Sequence, residues 1–203
     1  MCVIIHKPRN IEICLKTIKK CFESNSDGVG IAIRQYDDSF LVVKGLFTIN
    51  RVWKIISHLM LKEMIIHFRL CSSGNINEKM CHPFDIGENI DKSIYNSGNL
   101  IFHNGSNITC VDYKSNKTIS DTYKLAILMK NLPQEQWRYL LYNEQKMTKN
   151  KYILVEDGNV YHYGSFQKQD NCWFSNLFWK KDWRMITNYK TDMFKKSLLC
   201  DTF

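Results

Sequence analysis

The chain has 203 residues, 44% of them hydrophobic and 24% charged, with a net charge of +8 and a pI near 9.0. That length suits one globular domain with a short extension, and such a domain buries a core without needing disulfides or metal. No apolar stretch approaches the roughly 20 residues of a membrane-spanning helix, Met1 to Asn10 carries no secretory signal, and the basic residues are interleaved with acidic ones, which argues for a solvated surface over a dedicated nucleic-acid face.

In chain order, Cys2 to His6 reads as a buried strand. Asn10 is a candidate N-cap for a helix running to about Ser24, with Ile11, Cys14, Leu15, Ile18, Cys21 and Phe22 on one face. Strands follow at Gly28 to Arg34 and Phe40 to Phe47, joined by the polar loop Gln35 to Ser39. Asn50 is expected to cap a second helix, packed through Val52, Ile55, Ile56, Leu59 and Met60. Glu63 to Leu70 and Asn99 to His103 read as strands, separated by a long irregular loop over residues 71–97. A helix begins at Asp121 and reaches about Lys130, and another covers Gln134 to Tyr142. Lys151 to Val155 and Asn159 to Tyr163 flank Asp157–Gly158, a strong hairpin signal. Helices mixed with hairpins predict an α+β domain of antiparallel sheets covered by helices. The domain spans residues 2–179; residues 180–203, with six Lys/Arg, three Asp and the aromatics Trp183, Tyr189 and Phe194, form a basic-aromatic extension expected to dock a partner or pack on the domain.

The eight cysteines stand at positions 2, 14, 21, 71, 81, 110, 172 and 200. They are expected to be reduced thiols in the cytoplasm, most of them buried as small apolar groups. Cys2 is chemically distinct. Removal of Met1 ahead of a small residue leaves a thiol and an α-amine on one residue, and that amine, with a pKa of about 7.7–8.0, can act as base toward its own thiol. Taken singly, each striking residue has a structural explanation. Cys2 fits a buried strand, Arg69 an ion pair, Asn104–Gly105 a turn, and Asp121 a helix cap. His67, His82 and His103, taken with Cys71 and Cys81, match no compact ligand spacing, so neither metal nor cofactor is expected.

The joint order of several short segments says more. After Cys2 come Asp27-Gly28-Val29-Gly30-Ile31-Ala32, His67-Phe68-Arg69-Leu70-Cys71-Ser72-Ser73-Gly74, His82-Pro83, His103-Asn104-Gly105, Ser120-Asp121-Thr122 and Cys172-Trp173-Phe174-Ser175-Asn176. This succession, covering residues 2 to about 178, resembles the glutaminase domain of class II glutamine amidotransferases, including its stand-alone relatives. The chain departs from that pattern at Val3, where the family has glycine, at Phe68, where it has threonine, and over Leu70-Cys71-Ser72. The resemblance implies the four-layer α/β/β/α sandwich of N-terminal-nucleophile hydrolases and a γ-glutamyl thioester on Cys2. It further implies an oxyanion held by the Asn104 amide and the Gly105 N–H. Arg69 would fork onto the substrate carboxylate, Asp121 would pair with its ammonium, and Ser72 and Ser73 would add hydrogen bonds. The expected partner is glutamine or another γ-glutamyl amide. No synthase segment follows, so released ammonia is expected to pass to a separate acceptor subunit. Alternatively, the enzyme hydrolyses a different γ-glutamyl amide outright. Two other readings stand beside these: an inactive relative serving as a binding or regulatory module, and a nucleic-acid-binding accessory protein.

Overall fold

Strand Val3–Lys7 (β1) shows why this chain folds in layers. Val3 and Ile5 pack with one apolar cluster, whereas Ile4 belongs to another, so both faces of the strand are buried. The computed structural model describes residues 1–106, 108–112 and 118–180. Apart from Lys180, the basic-aromatic extension lies outside the described residues.

After β1 come α1 (Leu15–Ser24), β2 (Val29–Arg34), β3 (Phe40–Leu46), α2 (Ile49–His58), β4 (Met64–Phe68), β5 (Phe84–Asp85), β6 (Ile94–Ser97), β7 (Leu100–Asn104) and α3 (Asp121–Lys130). The described chain closes with α4 (Trp137–Thr148), β8 (Lys151–Glu156), β9 (Asn159–Tyr163), β10 (Gln167–Gln169) and β11 (Cys172–Phe174). The fold is mixed α+β, with four α-helices and two antiparallel sheets among the described residues. One sheet has seven strands in the order β10-β11-β1-β4-β2-β3-β6, and the other has four in the order β5-β7-β8-β9. Ile18 and Cys21 of α1 and Val52 and Ile56 of α2 cover one face of the larger sheet. Its other face meets the smaller sheet through Ile4, Ala32, Val42 and Ile65 against Phe102, Ile153 and Val155. Leu125, Met129, Trp137 and Leu141 of α3 and α4 cover the far side of the smaller sheet. Strands β4 and β7 therefore show no alternation: all five residues of each are buried. Full burial of such side chains contributes about 1.5–3 kcal/mol apiece, enough for these layers to outweigh weak local propensities.

Several helix starts differ from their local sequence signals. The first helix begins at Leu15, with Cys14 rather than Asn10 before it. Asn10 lies in the left-handed region at φ 60°, and the buried Lys7 ammonium takes the Ile11 carbonyl at 2.8 Å together with those of Pro8 (3.2 Å) and Met60 (2.6 Å). An Ile11 carbonyl held by that cation is withdrawn from the helical ladder, and residues 10–14 stay irregular. Cys14 and Leu15 consequently sit exposed instead of on the core face, while Cys21 is buried as expected. Thr48, not Asn50, precedes α2. Ser120 rather than Asp121 caps α3, its hydroxyl accepting from the Tyr123 N–H at 3.1 Å. Helix α4 continues past Tyr142 to Thr148. The loop over 71–97 contains β5 and β6, which extend the smaller and the larger sheet at their edges.

The hairpin at Asp157–Gly158 forms as its sequence predicts, with φ of 48° and 77° matching a turn that needs two left-handed residues. Its tip also docks on the larger sheet, where Arg34 donates to the Gly158 carbonyl at 2.8 Å and the Gly158 N–H reaches Gly98 at 3.0 Å. A Cβ on Gly158 would lie 2.4 Å from the Asp38 carbonyl oxygen. Gly158→Ala should therefore destabilise the protein by more than about 1 kcal/mol, since positive φ and this contact oppose it together. The urea midpoint measures the effect, and an unchanged midpoint would show that the tip does not hold the sheets together.

Candidate active site at the end of the central strand

Cys2 is the residue just before β1, at the end of a central strand of the larger sheet. Its Sγ lies 3.3 Å from the Leu70 N–H, which donates to it, and 3.4 Å from the Leu70 carbonyl. Burial pushes the thiol pKa up. The Leu70 bond, the terminal ammonium and Arg69 act in the opposite direction, and Asp121 adds to the rise. The thiol is thus neutral at physiological pH. Asn176 holds the backbone on this side, donating to the Cys2 carbonyl at 2.7 Å.

Arg69 follows β4 and is buried. Its guanidinium donates to the carbonyls of Asn75 (2.7 Å) and Ser73 (2.8 Å) and to Cys71 Sγ at 3.3 Å. Three of its five N–H groups are therefore engaged in shaping the Cys71–Asn75 loop, which leaves Nε–H and one Nη1–H for a ligand. Asp27 secures the same loop by accepting from the Cys71 N–H at 2.8 Å. Ser73 turns its hydroxyl toward the Ile119 carbonyl at 3.5 Å, linking this loop to the segment before α3, and Ser72 is exposed. Neither serine hydroxyl is bonded to Cys2, Arg69 or Asp121.

Asn104 ends β7, on the smaller sheet, and its amide meets the Ser175 hydroxyl at 2.8 Å. That hydroxyl accepts from the Ile4 N–H at 2.9 Å, and the Ser175 N–H donates back to the Ile4 carbonyl at 2.9 Å. Asn104 Oδ1 is then buried without a partner, a condition that costs about 1–3 kcal/mol. Turning the amide over lets the Ser175 hydroxyl donate to Oδ1 and leaves the Asn104 amino group as the buried atom without a protein partner, a donor in a residue that lines a pocket. Gly105 lies beside it, and a Cβ there would sit 1.9 Å from Asn150 Oδ1. Asn150 fixes this corner by accepting from the Ser106 N–H at 3.1 Å.

Asp121 opens α3, where its carboxylate accepts from the Thr122 N–H at 2.7 Å and the Thr122 hydroxyl at 3.2 Å. The Thr122 hydroxyl in turn accepts from His103 Nδ1 at 2.9 Å, which fixes the His103 tautomer. His103 Nε2 is buried without a partner, as are His67 Nδ1 and both nitrogens of His82, whose ring lies over that of His67 with centroids 4.0 Å apart. His67 donates through Nε2 to the His103 carbonyl at 3.1 Å. Among the described residues no three His, Cys, Asp or Glu side chains are grouped to hold a metal ion. The described cysteines are free thiols, and no described helix is long and apolar enough to cross a membrane.

Reasoning from sequence did not assign roles to Ser175, Asn176, Asp27 or Asn150. The segment Cys172–Asn176 stood out by resemblance, but the part played by its serine depends on a contact with Ile4, 171 positions away in the chain. A scan of protein-family models finds no match to this chain, and a search of curated proteins finds none.

The buried imidazoles make a pH prediction. Burial lowers the His67 pKa to about 3 and that of His82 well below the ordinary value. Both stay neutral in the folded state while the unfolded chain takes up protons below about 6.5. The stabilisation is complete above that value and is lost as pH falls, by about 1.4 kcal/mol per pH unit for each histidine. Urea midpoints between pH 7 and pH 5 should drop accordingly, and His67→Asn should flatten the decline. A midpoint independent of pH over that range would mean that these rings are protonated without cost.

Proposed function

We propose that the chain is a cysteine amidohydrolase of the class II glutamine amidotransferase type, in which Cys2, freed by removal of Met1, attacks the side-chain amide of glutamine. One juxtaposition carries the reading. The Cys2 thiol rests on the Leu70 backbone, close enough to Arg69 and Asp121 to feel both charges, and the same strand end is tied through Ser175 to Asn104. The succession of helices, sheet, sheet and helices supports the four-layer α/β/β/α sandwich of N-terminal-nucleophile hydrolases as the fold.

The neutral thiol gives its proton to the α-amine of Cys2, which exists as a base only once Met1 is gone. Sγ bonds to the amide carbon, and the Asn104 amino group and the Gly105 N–H receive the oxyanion. Collapse breaks the C–N bond, the ammonium proton passes to the departing nitrogen, and ammonia leaves for a separate acceptor subunit. Water then cleaves the γ-glutamyl thioester and releases glutamate. Arg69 offers its two remaining N–H groups to the substrate carboxylate, and Asp121 attracts the substrate ammonium. Nucleophile and oxyanion donors come from different sheets, which makes their alignment a property of the whole fold.

With processed protein, Cys2→Ala should abolish glutamine hydrolysis without unfolding the domain. Asn104→Ala should lower kcat by about 10²–10³ with little change in KM, because the oxyanion exists only beyond the ground state. Steady-state kinetics with glutamate detection decide both. Undiminished turnover in Cys2→Ala would remove the thiol from the reaction, and an effect of Asn104→Ala confined to KM would reassign that side chain to substrate positioning.

A further inference from the structure

A pocket of about 570 Å3 lies against Asn104 and Gly105. Its remaining polar wall comprises Ser106, Thr148, Lys149, Asn150, Lys151 and Gln167, and it is covered by the Asn176–Phe178 corner and by Met1, whose removal opens it further. Among the described residues no Asp or Glu lines it, whereas two lysines, Lys149 and Lys151, do. None of Arg69, Ser72, Ser73 and Asp121 contributes to it, so it is separate from the residues assigned to the γ-glutamyl half of a substrate. Small-molecule sites typically occupy about 300–1,000 Å3. Ammonia, the leaving group from glutamine, has no use for a cavity of that size.

A purely structural explanation covers only part of this. Lys151, half-buried at the start of β8, donates to the Ser175 carbonyl and so helps to fix the segment that orients Asn104. That bond uses one of its three N–H groups. Lys149 ends α4 in the left-handed region at φ 60°, a position usually taken by glycine or asparagine. Its N–H closes the helix on the Gln145 carbonyl at 2.9 Å, and its ammonium has no hydrogen-bond or ion-pair partner among the described residues. A cation near a helix C-terminus is favourable, but that does not account for a second cation on the same wall, or for side-chain amides and hydroxyls lining a cavity without a carboxylate.

We propose that this pocket binds the amine half of a γ-glutamyl amide through an anionic group on it, a carboxylate or a phosphate, held by Lys149 and Lys151. The proposal rests on the Cys2 thioester chemistry above and specifies its substrate class. The bonds change as in that reaction: Sγ–C forms, C–N breaks, and the nitrogen takes the electron pair and a proton by way of the α-amine. With such an amide the departing group is an anionic amine, where glutamine gives ammonia. Water then returns the thiol and frees glutamate. The asymmetry of the site follows, with the acyl half toward Arg69 and Asp121 and the amine half toward the two lysines.

The test measures kcat/KM of processed protein on four substrates: glutamine, γ-glutamylethylamide, γ-glutamylglycine and γ-glutamyl phosphoethanolamine. One of the two anionic amides should exceed the ethylamide by roughly ten- to hundredfold, the range expected for hydrogen bonds to charged groups. The glycine amide leading would identify a carboxylate, and the phosphoethanolamine amide a phosphate. The ratio should shrink in concentrated NaCl, which screens partly exposed charges. In Lys149→Gln/Lys151→Gln it should fall toward one, and because it is a ratio, loss of folded protein does not imitate that change. Equal values for the ethylamide and both anionic amides, or a ratio indifferent to salt and to the double substitution, would overturn this inference while leaving the Cys2 reaction standing. Absence of turnover on all four substrates, with no thioester on Cys2, would overturn both.

Discussion

The Ser175 hydroxyl ties the two sheets together where the candidate chemistry lies. It replaces a backbone carbonyl in the ladder, taking the Ile4 N–H while its own N–H returns a bond to the Ile4 carbonyl. The same oxygen meets Asn104 on the other sheet. Because Ser175 and Asn104 are both buried, water cannot substitute for these bonds, and an unmatched polar group there costs more than the same group at a surface. Cys2, two residues before Ile4, inherits this anchoring, and Asn176 reinforces it by holding the Cys2 carbonyl. Residues near a chain end are poorly ordered unless tied down in this way.

Around that tie, buried charge and polarity are arranged to hold loops. Lys7 gathers three carbonyls where β1 ends, and Arg69 engages the Cys71–Asn75 loop. Glu144 on α4 accepts from the Thr109 and Cys110 N–H groups at 3.1 and 2.8 Å. Lys44, buried beneath the loop after Gly74, donates to the carbonyls of Lys79 (3.2 Å) and Ile90 (3.3 Å). Burial lowers its pKa to about 8. Each such group holds irregular backbone that has no ladder of its own, and two of those segments border the candidate site. Site geometry and loop stability are therefore properties of the same bonds.

The sequence was most legible where its signals are local. The Asp157–Gly158 turn, the helix starting at Asp121 and the buried run at β1 all depend on neighbouring residues, and the structure contains them. Legibility failed where a distant group decides. The late start of α1 reflects the hold of Lys7 on Ile11, and strands of two to four residues such as β5, β6, β10 and β11 exist only through their pairing. At the candidate site, Cys2, Arg69, Asn104, Gly105 and Asp121 were readable as a succession of short motifs. The engagement of Arg69 with loop carbonyls and the bridging role of Ser175 were not, since both require knowing which backbone groups lack partners. Residues 181–203 lie outside the described residues.

The central claim is that Cys2, with its own α-amine freed, forms a covalent bond to the γ-carbonyl side of a glutamine-like substrate. A diazoketone analogue of glutamine followed by intact-mass and peptide-mapping spectrometry tests it directly. The account requires Met1 to be absent and a single adduct on Cys2, with the other seven of the eight cysteines unmodified and free glutamine slowing the labelling. An adduct on any other cysteine, or full glutamine turnover by protein that retains Met1, would contradict it.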